Sequence, residues 1–582
     1  MRWKGPGLGA KTRRAFGGGA GAAFVDVSAA VFPTLAALFT NTAPLNLGQR
    51  VRVLEGGHRF QVVDAAAHRL DPAGNHLKVI PRSDGTISQF AFGAVGDLVA
   101  DDTAPCQAAQ DTGLAIDDAG ASFLVSHLTV KSTVFAGRYL RKSGAEGHFL
   151  TIAAKNVFLN GEVDANRIGG AWKNAVHCDG FDGFRTGDDF VVRGSNNVGV
   201  VAQNTTDIDL RGRAYDCLNM GFHSVNFLVD AQRISFDLFV DNSGRETTCT
   251  NGGIKFHALN GAQILAATGH ADVILFESVS MPANAVGIEF FGSNAETPGH
   301  SGDESFCLNV NITGTVQGGA IACTLHGCPD AYAVVQAVGP QNLGLELTAG
   351  SAGATFAAGS TVSNGVSVKP KFAVTATGGC NGAVLDVVVQ DVDPLREPQA
   401  ASFYVHGSAN VTIKGATTQS AGKRYVRVYA SPGLKVLGLS ATGAATAAFT
   451  LDTAPCDDLL VEDCIFQSIA RPIDAYGTFA RATFRRTDFQ NTGALVGGSA
   501  TLTEFTTEDC TFATHLFGAA LSKLDLPDLQ PVWSQSKIKG EMNGSPAGLI
   551  EGAVGSICTD TSTGLVYAKT GTTKADWQLQ AA

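Results

Sequence analysis

Phe92–Gly113 reads FGAVGDLVADDTAPCQAAQDTG, and this stretch decides the fold. A short strand and two turns lead into a helix. Asp101, Asp102 and Thr103 are residue types that cap a helix start, Pro105 is tolerated in a first turn, and Gly113 stops what Cys106–Gln110 continue. About four hundred residues follow in which short apolar runs alternate with Gly, Asn and Asp. A small helix ahead of such a run covers the open end of a stacked core, so the stretch marks where a solenoid begins.

Working outward, the repeat is clear from Asn156 onward, with a spacing in the low twenties where no loop intervenes. VEDCIF, FRRTDF and TTEDCTF place Phe466, Phe489 and Phe512 at intervals of 23, and Cys464, Thr487 and Cys510 keep the same phase. Side chains in identical phase stack, so these are predicted interior ladders. In the middle coils, GFHSV at 221, GIKFH at 253 and GIEFF at 287 are related phrases spaced by 32 and 34 residues. The residue after each Gly is apolar and points inward, so by strand alternation His223, Lys255 and Glu289 form an exterior ladder. A second ladder is expected at the preceding strand ends: Asp216, Asp241 and Glu277. Turns of 4, 11 and 9 residues separate the two, and insertions at one corner of a solenoid wall off a groove.

The stretch from Phe92 resembles the F-G-A-x-G-D-G-x-x-D-D-T-x-A pattern that precedes the first coils in the pectate-lyase-like superfamily, with Leu98 for Gly and Pro105 for Ala. The resemblance implies an all-β chain built as a right-handed parallel β-helix. Upstream, Ser28–Phe39 is a helix candidate, and RVRVLEGGHRFQVV (50–63) alternates like a hairpin around Gly56 and Gly57. This small α+β module is similar to particle-binding modules at the N-termini of phage tailspikes. At the other end, Gly544–Gly548, Ala553–Ser556, Tyr567–Lys569 and Trp577 look like a C-terminal module of phage tail fibres and spikes, with Asp576 where that module has Gly. The expected organisation is a basic arm (1–22), an anchoring module (23–88), the β-helix (89–520) and a C-terminal β module (521–582).

Composition narrows the function. A net charge of −11 argues against a nucleic-acid surface. The one basic cluster, Arg2, Lys4, Lys11, Arg13 and Arg14, sits in the arm, and removing its five charges leaves −16. Twelve cysteines without C-x-x-C pairs point to free buried thiols in a reducing compartment rather than a zinc ribbon or a disulfide framework. The twin arginines precede an apolar run interrupted by Asp26, a poor export signal, and no run approaches the roughly twenty residues of a membrane span. The acidic loop Ala175–Phe190 lacks calcium-loop spacing, Gly17–Gly21 is no phosphate loop, and no G-x-S-x-G elbow occurs, so no cofactor and no metal are expected.

Chemistry must come from the groove, because a β-helix is only a scaffold. Coils stack about 4.8 Å apart, so carboxylates on adjacent coils approach the roughly 5 Å separation of retaining glycosidases. Asp216, Asp241, Glu277 and Glu289 are the catalytic candidates, each with the alternative of capping a turn or, for Glu289 beside Lys255, of a surface ion pair. His223 and Lys255 suit an anionic glycan. Asp164, Arg167 and Trp172, in LNGEVDANRIGGAW, either bind sugar or fold their loop over the first coils. The resemblance implies a homotrimeric phage spike, made in the host cytoplasm and carried on the virion. Its N-terminus would attach to a tail or particle protein, and its groove would bind host-surface polysaccharide and in one version cleave it. A non-catalytic receptor-binding spike and a secreted polysaccharide lyase are the competing readings.

Overall fold

Left-handed corners occupied by Asn and Asp set the coil geometry of this chain: Asn204, Asp216, Asn242, Asn260, Asn309, Asp330 and Asn410 all have φ between 47° and 57°. These short polar side chains tolerate that conformation best after glycine. The computed structural model describes residues 29–512 and 539–580, except 65–66, 71–74, 168–172, 245–251, 276–284, 296, 298–301, 364–370, 393–399, 453–455, 477, 491–495, 499–500, 509–510 and short gaps after 542. The basic arm, Glu277 and Trp172 lie outside the described residues. Two compact units are present, Met1–Arg82 and Ser83–Ala582.

In the first unit, Arg50–Val53 and Arg59–Val63 pair antiparallel, as the sequence around Gly56 and Gly57 predicts. The expected helix over Ser28–Phe39 is shorter: Ala30–Phe32 is a strand paired parallel with 51–53, and only Leu35–Phe39 is helical. Pro33 separates them, because a proline disfavours helical backbone in the residue before it.

In the second unit the Phe92 stretch folds as a strand, Asp97–Asp101, and a helix, Thr103–Gln110. One detail differs from expectation. Asp102 occupies the cap position, yet its carboxylate accepts the Val95 and Gly96 N–H groups at 2.6 and 3.0 Å, tying down the preceding turn. Asp101 instead accepts from the Thr103 N–H at 3.1 Å. Leu98, standing where the family pattern has Gly, still adopts φ 60°.

From Asp97–Asp101 to Thr511–Phe512, thirty-five strands form one parallel solenoid. Two long faces dominate its middle. Asp207–Tyr215, Arg233–Ser243, Ala267–Leu275 and Val310–Gln317 belong to the first; Phe222–Asn226, Gly252–Ala258, Val286–Gly292, Ile321–His326, Leu343–Thr348, Phe372–Thr377 and Ala401–His406 to the second. The inward residues form the core: Phe256 packs against both Phe236 and Phe290 with centroids about 5 Å apart. The 23-residue repeat gives in-register pairs Phe466 with Phe489 and Phe489 with Phe512, and the first two rings stack at 5.3 Å.

Close approach between the faces explains the glycines of the repeated phrase. A Cβ on Gly287 would fall 2.3 Å from Val316 Cγ1 and 2.7 Å from the Ala322 carbonyl, and one on Gly253 2.3 Å from Val273 Cγ1. The C-terminal segment folds as a meander, Ile557–Asp560, Val566–Lys569 and Trp577–Leu579, with Lys539–Met542 added parallel to its first strand. Among the described residues no helix is long and apolar enough to cross a membrane.

Candidate active site

Strand register puts His223 beside Lys255 and Lys255 beside Glu289, the column the repeated phrases predict. The same column continues through Thr324 and Glu346 to Thr375, Tyr404 and Arg427. Alternation directs these side chains away from the core that Ile254, Phe256, Ile288 and Phe290 fill.

The polar cluster is not a surface ladder, contrary to the reading of Lys255 and Glu289 as an exposed ion pair. Lys255 Nζ lies 2.6 Å from Glu289 Oε2, with the two side chains 2% and 14% exposed. His257 Nε2 approaches the same oxygen at 3.3 Å, and the His223 ring meets His257 edge-on at 4.9 Å. Burial alone would raise the Glu289 carboxyl, but Lys255 and His257 more than offset it and hold that carboxyl far below its ordinary range. The His223 pKa is lowered as well, which for a histidine favours the neutral ring: burial, then His257 and Lys255, take it well below that of a free histidine against the opposing Glu289 charge. Its Nε2 is shut off from solvent without a hydrogen-bond partner.

Glu346 completes the cluster two coils beyond Glu289. It accepts the Thr324 hydroxyl at 3.0 Å, from the coil in between, which draws its carboxyl back toward Glu289. Burial raises its pKa, the Thr324 hydrogen bond partly counters this, and the Glu289 charge adds to the rise. Two carboxyls in one column are thus pushed in opposite directions, the environment that separates an acid from a base.

Of the second ladder expected at Asp216, Asp241 and Glu277, Glu277 lies outside the described residues, and Asp216 and Asp241 do not share a register position. Register pairs Asp241 with Tyr215 and with Ile274, whereas the corner residue alongside Asp216 is Asn242, whose amide donates to the Asp216 carboxylate. The two aspartates are offset by one residue, Asp241 lying within its strand and Asp216 just past the end of its own. Asp216 sits at a left-handed corner, and Arg167 reaches it, Nη2 lying 3.3 Å from the Asp216 carbonyl and 3.8 Å from its carboxylate. Asp164 accepts the Asn166 N–H at 2.8 Å, and Asn196 donates to the Arg167 carbonyl at 2.7 Å. These contacts tie Asp164–Arg167 to the corners at Asn196 and Asp216.

Farther along the second face, Phe372 and Tyr404 stack at 4.6 Å and Arg427 lies 5.3 Å over the Tyr404 ring while pairing with Asp452 at 2.7 Å. Among the described residues no group of three or more His, Cys, Asp and Glu side chains converges as a metal site.

No family model matches the chain, and no curated protein matches it either. Among solved structures it is similar to the enzymatically active domain of tailspike protein 2 of bacteriophage CBA120, with 11% identity over 78% of this chain and 57% of that one and a TM-score of 0.30. The pre-mature gene product 12 of bacteriophage phi29 gives 11% identity, 79% and 70% coverage and a TM-score of 0.30. PfbA, a surface adhesin of Streptococcus pneumoniae, gives 9%, 85% and 98%, and 0.23. The chain spans little more than half of the first of these. At such scores the fold assignment rests on the strand register of this chain.

Glu346 is the functional candidate that the sequence reading passed over. Its signal was present: Gly344-Leu345-Glu346 repeats the Gly-apolar-polar phrase of Gly253-Ile254-Lys255 and Gly287-Ile288-Glu289. The coil between, Ala322-Cys323-Thr324, carries Ala in place of the Gly and hides the periodicity.

Proposed function

We propose that this protein is a phage-type spike whose solenoid binds host-surface polysaccharide and hydrolyses it at the Glu289–Glu346 column. The observation that carries this reading is the opposite pull on two carboxyls in one outward column, the Glu289 pKa pushed down by Lys255 and His257 and the Glu346 pKa pushed up by burial. Their strands lie two coils apart, about 10 Å between backbones. Glu346 accepts a hydrogen bond from Thr324 on the coil in between, and inverting glycosidases hold their carboxyls roughly 6.5–9.5 Å apart to admit a water. Glu346 would give its proton to the glycosidic oxygen as that bond breaks, and Glu289 would take a proton from the water that bonds to the anomeric carbon. Lys255 and His257 would hold the Glu289 carboxylate in place, and the Tyr404–Arg427 surface would bind the chain beyond it.

The N-terminal unit would attach to a tail or particle protein, three chains would assemble lengthwise, and the spike would be made in the host cytoplasm and carried on the virion. The test is incubation of the full-length protein with bacterial capsular and lipopolysaccharide preparations. New reducing ends without absorbance from unsaturated uronates support hydrolysis. Unsaturation would mean elimination, and binding with neither signal would mean a purely adhesive spike.

A further inference from the structure

The first face carries a concavity that the proposed reaction does not use. An open cleft of about 240 Å³ crosses four coils there, lined by Asp188, Arg213, Asp237, Phe239, His270 and Asp272. Register explains its layout: Arg213, Phe239 and Asp272 form one outward column, and Arg211, Asp237 and His270 the next. The backbone dips at Gly212, where φ is 101° and a Cβ would fall 2.2 Å from the Phe190 carbonyl.

Most of the lining is already engaged. Asp188 pairs with Arg211 at 3.3 Å, Asp272 accepts the Thr315 N–H at 3.1 Å and faces His270 Nε2 at 3.3 Å, and His270 Nδ1 meets the Thr313 hydroxyl at 2.9 Å. Arg213 and Asp237 differ: both are exposed, and neither side chain has a partner among the described residues. A guanidinium offering donors and a carboxylate offering acceptors therefore flank the half-buried Phe239 ring. Hydroxyls at the edge of a sugar ring answer the first two, and its C–H face answers the third. Three carboxylates in the lining disfavour a uronate or a sulfated unit. The cavity is smaller than pockets that enclose drug-sized ligands, which run from about 300 Å³.

We propose that this cleft is a second saccharide-binding site, taking one uncharged hexopyranose unit between Arg213 and Asp237 over Phe239. It goes beyond the proposed hydrolytic column and does not depend on it.

The experiment is saturation-transfer NMR and titration of the full-length protein with the methyl glycosides of glucose, galactose and mannose, one at a time. At least one is expected to bind, with affinity lowered about tenfold or more in Arg213→Gln and in Asp237→Asn, as loss of a charged hydrogen bond implies. Both positions are exposed, so thermal melts of the variants should match the parent. Absence of binding by all three glycosides overturns the proposal, as does binding that both substitutions leave intact. Failure of polysaccharide cleavage would refute the hydrolytic reading alone, since the glycoside titration does not require turnover.

Discussion

Lys255 Nζ and Glu289 Oε2 meet at 2.6 Å across neighbouring coils, with the lysine side chain 2% exposed. A pair this buried is held in place by mutual compensation more than it is stabilising, because each charge without the other would be stranded in a poorly solvated site. Lys255→Met should therefore destabilise the protein by about 3–5 kcal/mol, while Lys255→Met combined with Glu289→Met should recover most of the loss. Chemical denaturation of the two variants decides this. Equal losses would show that the charges act independently.

Glu346→Gln should lower turnover of a cleaved polysaccharide by about 10²–10⁴ and leave binding nearly unchanged, as expected for removal of a general acid. In the parent protein the raised Glu346 pKa keeps its proton beyond the pH at which an ordinary glutamate ionises. Activity should persist below that pKa and decline as pH climbs through it. A pH–rate profile whose alkaline limb is unchanged in Thr324→Val would argue against Glu346 as the titrating acid, since the Thr324 hydrogen bond lowers its pKa.

His148 and His177 stack at 4.1 Å on the same face of earlier coils. Burial, and then His177, lower the His148 pKa to about 4, and its Nδ1 accepts the Asn174 N–H at 3.1 Å, a bond the protonated ring could not make. The folded state thus refuses a proton that the unfolded chain accepts below about pH 6.5. Stability should be complete above that pH and fall as pH drops toward about 4. Melting temperatures across this window should fall less steeply in His148→Gln.

Gly287→Ala should cost about 1–3 kcal/mol, since its methyl group would meet Val316 and the Ala322 carbonyl where the two faces close. A melt indistinguishable from the parent would show that the packing around this strand residue relaxes freely.

Ten of the cysteines among the described residues are buried. Burial raises Cys178 to about 11 and Cys217 to about 12, so thiolate is scarce at neutral pH. A water-soluble disulfide reagent should leave these ten unmodified in the native protein and modify them all after unfolding. Rapid native labelling at Cys178 or Cys217 would contradict their enclosure.

The sequence alone determined the solenoid, because stacking depends on periodic one-dimensional features: Phe466 and Phe489 repeat at 23 residues and stack in the structure. Strand alternation likewise placed His223, Lys255 and Glu289 in one column. Tertiary structure decided what alternation cannot carry. Whether an outward side chain meets water depends on what else packs over that face, so the buried state of Lys255 was not legible. Register at a corner depends on which residue takes the left-handed turn, and Asp216 with Asn242, not Asp241, takes it. The opposed tendencies of Glu289 and Glu346 arise from Lys255, His257 and Thr324 on separate coils, neighbours that only the folded chain brings together.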